Sequence, residues 1–312
     1  MWTVEDGGLF HVFFLHAPHA LGDESRRHRA ARIGHAVSAD LRSWRLCAEP
    51  FGPGEEGSFD STATWTGSVV RGQDGRWRMF YTGSRFLNPE PDYTNIETVG
   101  VAVSDDLMTW HKEPGPVTRA DPRWYETLGG SSWREEAWRD PWVFRDPQGD
   151  GWHMLVTARA NHGPSEGRGV IGYATSPDLE KWTVRPPLST PGAGFAHLEV
   201  PQVAEIAGSW FLLFGCGPSE LSSSKRAEHP DAGMWMLPLK DPTCPYDVSA
   251  ARPLTDSSRY CGRLVESSPG TWELLTFENG RGGEDFTGVL NDPLPIALRD
   301  GWLAVATTEV PA

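Results

Sequence analysis

Short runs of aromatic and aliphatic residues alternate along this chain with turn-forming Gly, Asp and Ser, and the pattern repeats. Alternating small and β-branched residues before a Ser/Asp turn predict a strand, a turn and a further strand that begins near a Trp. Copies of this unit begin 66 and 72 residues apart, at Ile33 to Trp44 (IGHAVSADLRSW), Val99 to Trp110 (VGVAVSDDLMTW) and Ile171 to Trp182 (IGYATSPDLEKW). A period of this size indicates a repeat architecture.

A second repeated unit, a turn followed by an aromatic strand, precedes the first. Its aromatic anchors lie 67, 75, 58 and 62 residues apart, at Phe10, Trp77, Trp152, Trp210 and Trp272. Each interval suits one four-stranded propeller blade. The sequence therefore predicts an all-β fold, a five-bladed β-propeller that forms a single domain over residues 1–312 without a C-terminal β-sandwich. A two-sheet sandwich is the alternative for many short strands, but the regular anchors argue against it.

Three polar or Gly/Pro-rich segments between the predicted strands are predicted as loops: residues 84–98, 217–232 and 279–291. The composition, with Gly 34, Pro 26 and Trp 15, agrees with many short strands and turns. No run reaches membrane-spanning length.

Charge and cysteine usage narrow the class of partner. The formal net charge of −14 argues against nucleic acid or an anionic membrane as partner and fits a neutral small molecule. The cysteines show neither CxxC nor zinc-site spacing, and the histidines show no metal-ligand spacing. We expect no cofactor and no metal site. The N-terminus has no basic segment before an apolar core, so we expect a cytoplasmic location.

Two carboxylates interrupt strands that should line the propeller channel, because each strand directly precedes an aromatic anchor. Asp140 lies twelve residues before Trp152, and Glu199 lies eleven before Trp210. We therefore place both at nearly the same point of successive blades, at the channel mouth. An ionised carboxylate among apolar neighbours is costly unless it is paired or used. Paired carboxylates cleave glycosidic bonds, one as proton donor and one at the anomeric carbon.

Three motifs on these strands carry a family resemblance: WTGS at residues 65–68, WRDP at 138–141 and LEVP at 198–201. In this order and spacing they resemble the signatures of the invertase/inulinase and levansucrase families, glycoside hydrolase families 32 and 68. The resemblance covers essentially the whole chain and implies a five-bladed propeller that cleaves or transfers β-fructofuranosyl groups with retention.

By that resemblance, Asp140 is the transition-state stabiliser, Glu199 is the general acid/base and Arg139 orients the two acids. Val200 stands where the invertase family often carries Cys. The resemblance also places Trp65 and Ser68 in the sugar pocket.

Further residues are predicted near the sugar from their own chemistry. A flat apolar ring face suits the C–H side of a sugar, which selects Trp2 and Trp138 beside Trp65. Asp60 is predicted as a loop acid that supports the pocket. His197 either flanks the substrate or points away from the face of Glu199, since neighbours on a strand face opposite sides.

The family nucleophile is an Asp on the first inner strand, and counting back from Phe10 places it just before Met1. Either the chain starts further upstream or the nucleophile is lost. Asp6 is the nearest acid, but Asp-Gly within Glu5 to Gly8 predicts a hairpin turn.

Three functions follow. The first is a retaining enzyme acting on sucrose or another fructoside, by hydrolysis or transfer. The second is an inverting propeller of the arabinanase/xylosidase type, which needs a wider gap between its acids. The third is a sugar-binding or repurposed propeller that has lost the chemistry.

Overall fold

The computed structural model describes residues 1–130, 133–279 and 287–306. Within these ranges the strands form five antiparallel sheets, each with its strands hydrogen-bonded in chain order. The prediction of an all-β, five-bladed propeller is confirmed. In the same ranges no helix is long and apolar enough to cross a membrane.

Each blade runs from an inner strand to a short outer one. Blade 1 contains β1 (Trp2–Asp6), β2 (Leu9–His16), β3 (Arg32–Ser38) and β4 (Arg45–Leu46). Blade 2 contains β5 (Ala63–Arg71), β6 (Trp77–Phe86), β7 (Asn95–Ser104) and β8 (His111–Lys112), and β9 (Glu135–Glu136) adds to β7 in parallel. Blade 3 contains β10 (Trp138–Arg145), β11 (Trp152–Arg159), β12 (Gly169–Ser176) and β13 (Thr183–Arg185).

Blade 4 contains β14 (Glu199–Ile206), β15 (Ser209–Gly215), β16 (Met234–Leu239) and β17 (Arg252–Pro253). Blade 5 contains β18 (Arg259–Ser268), β19 (Thr271–Glu278), β20 (Leu294–Arg299) and β21 (Trp302–Val305). The described α-helices are short: α1 (Arg27–Ala30) and α2 (Ser223–Glu228). The described 3-10 turns are His19–Leu21, Glu24–Arg26, Leu128–Gly130, Ser165–Gly167, Pro218–Glu220 and Val248–Ala250.

The inner strands β1, β5, β10, β14 and β18 contact one another in that order, and β18 contacts β1, which closes the ring. Hydrophobic clusters fill the spaces between neighbouring blades. One cluster joins blades 1 and 2 through Trp2, Phe13, Val69 and Trp77, and another joins blades 1 and 5. Burial between blades therefore holds the ring together.

The thrice-repeated unit forms the third strand and the following turn of blades 1 to 3. In the first copy, Oδ1 of Asp40 accepts hydrogen bonds from the backbone N–H groups of Arg42 and Ser43, at 2.9 and 2.7 Å. Asp106 and Asp178 do the same in the other copies. The turn is thus closed locally by one carboxylate, as the repeat predicts.

Two of the predicted loops contain regular structure. Segment 84–98 is strand at both ends, because β6 continues to Phe86 and β7 begins at Asn95. Ser84, Asn95, Glu97 and Thr98 at these strand ends are buried, so polarity does not mark exposure at the ends of the segment. Segment 217–232 contains the turn Pro218–Glu220 and α2. Segment 279–291 lies partly outside the described residues.

Candidate active site

Four of the five inner strands, β5, β10, β14 and β18, have a β-bulge at one level of the channel. The register shifts between Trp65 and Gly67, Arg139 and Trp142, Glu199 and Gln202, and Tyr260 and Arg263. Within the bulges Asp140 (φ 57°), Val200 (φ 51°) and Cys261 (φ 51°) adopt the left-handed conformation. Bulges re-aim side chains and are frequent beside active sites, and strained non-glycine residues concentrate at functional positions.

The register corrects the expected equivalence of the two acids by one residue. Trp142 pairs with Leu155 and Gln202 with Leu213, each three residues after its anchor. Asp140 therefore corresponds to Val200, and Glu199 corresponds to Arg139. Counting from the anchors misaligned them because the hairpin of blade 4 is two residues shorter than that of blade 3. The consequence is that Arg139 faces Glu199, with 2.5 Å between Nη2 and Oε1.

Arg139 is the buried cationic centre of the site. Its guanidinium lies 3.0 Å from the Oε2 of Glu97, and 3.5 Å from both Glu135 Oε2 and Asp140 Oδ2. Burial alone would lower the pKa of Arg139, but these carboxylates and Glu199 together raise it well above its usual value. The prediction that Arg139 orients the acids agrees with this geometry.

Asp140 is buried, and three donors hold its carboxylate. Its Oδ1 accepts a hydrogen bond from Thr66, and its Oδ2 accepts one from Thr157 Oγ1 at 2.8 Å and one from the Val200 N–H at 3.3 Å. Donors from three inner-strand neighbourhoods thus fix this carboxylate. A carboxylate with such partners is held as an acceptor, which suits contacts with sugar hydroxyl groups.

Glu199 contrasts with Asp140. Its side chain is 19% exposed, and Arg139 is its hydrogen-bond partner. Burial raises the pKa of Glu199 to about 7, Arg139 opposes the rise, and the charges of Glu220 and Asp140 reinforce it. A carboxyl that keeps its proton near neutral pH is suited to general acid catalysis. The two acids therefore have environments that separate their roles.

His197 lies beside Glu199 but is buried. Its Nδ1 is 2.7 Å from Glu220 Oε2, and its ring packs edge-on against Trp133 at 5.3 Å. Burial lowers the pKa of His197, and this histidine brings the pKa of Glu220 to about 2 although burial of Glu220 acts the other way. The two expectations for His197 are a place beside the substrate and a structural role. These contacts favour the structural role.

One group of residues in this region has the composition of a metal site. His197, Glu199 and Glu220 each offer a ligand atom, and these atoms lie within 4.8 Å of one another. All three are already engaged, because His197 pairs with Glu220, and Glu199 pairs with Arg139. The protein contacts account for the arrangement, and we assign no metal to it.

The remaining predicted pocket residues divide into two sets. Trp65 pairs with Thr82 in blade 2 in the same way as Arg139 pairs with Thr157 in blade 3, so Trp65 lies at the level of the acids. Its Nε1 donates a hydrogen bond to the backbone carbonyl of His28 at 2.9 Å. Ser68 is buried, and its hydroxyl accepts the Val143 N–H at 3.0 Å, which ties β5 to β10. Ser68 therefore joins two blades, and its predicted sugar contact is not supported.

Two tryptophans and one acid predicted near the sugar lie elsewhere. Trp2 and Trp138 are each 0% exposed, because they pack between blades, and neither presents a ring face to the channel. Asp60 is buried away from the cluster, where its Oδ2 meets Lys112 Nζ at 2.6 Å and the Tyr81 hydroxyl at 2.9 Å. Its ion pair supports blade 2 and not the acids of the site.

Sequence reasoning missed Glu97 and Glu220, because both fall in segments predicted as loops. A signal for Glu97 was present in the repeat. The positions two residues before Ile33, Val99 and Ile171 carry Ala31, Glu97 and Gly169. A charged residue where the other copies have small ones stands out, and the structure buries it completely.

The register also shows which blade 1 position is equivalent to Asp140. Trp2 pairs with Phe13 as Trp142 pairs with Leu155. The blade 1 position that corresponds to Asp140 is therefore the one directly before Met1. Asp6 pairs with Leu9 beside the turn, and its side chain is 51% exposed, so the predicted hairpin turn is confirmed.

A five-bladed propeller with two carboxyl groups held by one arginine at its channel defines the class of carbohydrate-processing propellers. Residues 3–233 match the model of the Glycosyl hydrolases family 32 N-terminal domain. The chain belongs to glycoside hydrolase family 32, and the resemblance read from its motifs is confirmed.

Curated relatives and solved structures agree with this assignment. The chain is 30% identical to the sucrose-6-phosphate hydrolase of Bacillus subtilis over 66% of this chain and 38% of the relative. It is 23% identical to the invertase of Kluyveromyces lactis over 73% of this chain and 34% of the relative. It thus spans well under half the length of these relatives.

The inulosucrase from Halalkalicoccus jeotgali bound to kestose superposes with a TM-score of 0.73 and 23% identity. The superposition covers 97% of this chain and 85% of that one. At this level of identity the likeness supports the fold.

Proposed function

We propose that this propeller acts on a β-fructofuranoside such as sucrose, by hydrolysis or fructosyl transfer with retention of configuration. The observation that carries the proposal is the Asp140–Arg139–Glu199 group, in which one arginine holds two acids with different environments. The relatives named sucrose-6-phosphate hydrolase and invertase support the same chemistry. Whether the fructosyl group passes to water or to an acceptor sugar depends on the loops around the acceptor.

In the proposed reaction Glu199 donates its proton to the glycosidic oxygen as the bond to the fructosyl carbon breaks. Asp140, which its donors hold in place, accepts hydrogen bonds from fructosyl hydroxyl groups and stabilises the positive charge that develops. The nucleophile that the family resemblance implies would form the fructosyl-enzyme ester, and the extended version described below supplies it as an Asp directly before Met1. Glu199, now ionised, removes a proton from water or from an acceptor sugar, which attacks and releases the fructosyl group.

The test compares the chain as printed with a version that carries Asp directly before Met1 in a short N-terminal extension. We expect sucrose cleavage in the extended version, with loss of activity in its Glu199→Gln variant. Immediate NMR of the product should show the β-anomer. An inverted product would support the arabinanase/xylosidase type. Fructoside binding without turnover in every version would support the sugar-binding propeller and refute the enzymatic proposal.

We also propose a cytoplasmic location. The four cysteines are all free thiols, and a reducing compartment preserves thiols in this state. Reporter-tagged protein recovered with an extracellular or periplasmic fraction would refute this location.

A further inference from the structure

Glu97 is a buried acid that the proposed reaction does not use. It is 0% exposed in β7, and its Oε2 accepts a hydrogen bond from Arg139 Nη1 at 3.0 Å. Its Oε1 is also buried and has no hydrogen-bond partner among the described residues. Burying a carboxylate that is only half satisfied is costly. Because blades 1 and 3 carry Ala31 and Gly169 at this position, blade geometry does not require the acid.

The contact that Glu97 makes is with the arginine that holds Glu199. Nη1 of Arg139 meets Glu97 and Nη2 meets Glu199, so the two carboxyl groups occupy neighbouring nitrogens of one guanidinium. A planar guanidinium held at one nitrogen is also fixed at the other. Glu97 thus determines both where Arg139 lies and how much of its charge is left for Glu199.

This inference rests on the proposed role of Glu199 as the general acid. We propose that Glu97 is a positioning residue that shares Arg139 with Glu199, so that Glu199 remains a proton donor at neutral pH. Without Glu97, the full charge of Arg139 would act on Glu199 and favour its ionised form. Glu199 would then already have lost its proton when the substrate binds.

The other groups that face this pair come from several elements. Glu135 of β9 and Asp140 of β10 face Arg139. Glu220 lies beside Glu199, and ligand atoms of these two residues and of His197 are all within 4.8 Å of one another. Two thiols, the buried Cys216 and the partly buried Cys261, also face Glu199, and burial raises the pKa of each, so both stay neutral.

Burial raises the pKa of both Glu97 and Glu199, and the charge of Arg139 opposes both shifts. When two carboxyl groups share one cation, their protons leave in two steps that belong to the pair. The first step leaves one carboxylate beside one guanidinium. The second step must place another anion in the same buried space, which delays it.

The decisive experiment is a carboxyl ¹³C NMR titration of the glutamate side chains in the chain as printed, from about pH 4 to about pH 10. The Glu199 signal is assigned by its absence in Glu199→Gln. In the parent chain we expect Glu199 to titrate in two steps. In Glu97→Gln we expect one step, with a midpoint lowered by roughly one pH unit or more.

Glu126 supplies the matched control, since it is buried and its Oε2 lies 2.6 Å from Nε of Arg159. Glu126→Gln removes a similar ion pair and should leave the Glu199 titration unchanged. Glu97→Asp keeps the charge and should keep the two steps. If Glu97→Gln does not fold, Glu97→Ala, which has the residue of blade 1 at this position, tests the same shift.

A Glu199 midpoint that moves by less than about 0.3 pH units in a folded Glu97 variant would overturn the inference. In the extended version with Asp before Met1, the alkaline limb of kcat/KM should shift down with Glu97→Gln, with kcat affected more than KM. The NMR result does not need turnover. Failure of the proposed function therefore appears as inactivity, and failure of this inference appears as an unmoved titration.

Discussion

Replacing Arg139 by Met should destabilise the propeller in a strongly pH-dependent way. The substitution keeps an unbranched apolar stem in the same space but removes the cation that faces Glu97, Glu135, Asp140 and Glu199. Removing one partner of a buried ion pair typically costs about 3–5 kcal/mol, because the other partner is left as an uncompensated charge. We expect this full cost only where the acids are ionised.

The sign of the pH dependence follows from the raised pKa values of Glu199, about 7, and Glu97, about 8. A carboxyl whose pKa is higher in the folded state contributes stability that is present below its unfolded pKa and is lost as the pH rises through the folded pKa. Without Arg139 both folded values rise further. The free energies of unfolding of the parent and of Arg139→Met therefore differ least below about pH 6, and the difference grows above about pH 7.

The assay is thermal unfolding of both proteins at about pH 5.5 and pH 8.5. We expect a loss of roughly 1–2 kcal/mol at the lower pH, from hydrogen bonds and packing. At the higher pH we expect a loss of about 3–5 kcal/mol, which for a chain of 312 residues is a Tm decrease of roughly 5–8 °C.

Arg78→Met is the control for the loss of a nearly buried arginine. Arg78 pairs at 2.8 Å with Asp74, whose side chain is 44% exposed, and the hydrogen bond from Arg78 helps to lower the pKa of Asp74 to about 2. Asp74 stays ionised at both pH values, so the loss should be about 1 kcal/mol or less and independent of pH. A pH-independent loss in Arg139→Met, or one below about 1 kcal/mol at the higher pH, would refute the reasoning.

Three further predictions concern the inner strands. Gly67→Ala should lower the free energy of unfolding by roughly 3 kcal/mol in denaturant unfolding, because a Cβ there would lie 2.0 Å from the backbone oxygen of Phe80. In the control Gly129→Ala the new Cβ meets no atom within 4 Å, so the free energy of unfolding should not change. Asp140→Asn should lower sucrose turnover in the extended version by roughly 10²–10³-fold while the unfolding midpoint stays close to the parent's, and unchanged turnover would contradict its role. Thr157→Val removes a donor to Asp140 and should cost about 1–3 kcal/mol in chemical denaturation; a loss within error would show that this hydrogen bond is not important.

The fold was readable from the sequence because each blade repeats a local pattern. Strand, Asp-closed turn and aromatic anchor are determined within a few dozen residues. The structure pairs the anchors of blades 1 to 3 with the serines that end the third strand of each blade: Phe10 with Ser38, Trp77 with Ser104 and Trp152 with Ser176. Asp140 and Glu199 were also readable, since a carboxylate within an apolar strand is unusual wherever that strand lies.

The sequence was a poorer guide to which side chains are exposed and which are buried. Trp2, Trp65 and Trp138 have similar local contexts in the sequence, but only Trp65 lies at the level of the acids, and the other two fill the spaces between blades. Which face of an inner strand meets the neighbouring blade depends on the bulge in that strand, and a bulge of one residue changes it.

The sequence by itself determined the blades, their number and the two acids of the candidate site, because these depend on local propensity and spacing. Only the tertiary structure decided that Arg139 lies between Glu97 and Glu199, and that Glu220 faces them through His197. In the sequence Glu97 lies 42 positions before Arg139, and Glu199 lies 60 positions after it. They meet because blades 2, 3 and 4 pack side by side, with β7 and β14 both in contact with β10, and burial there makes the separate charges one coupled group.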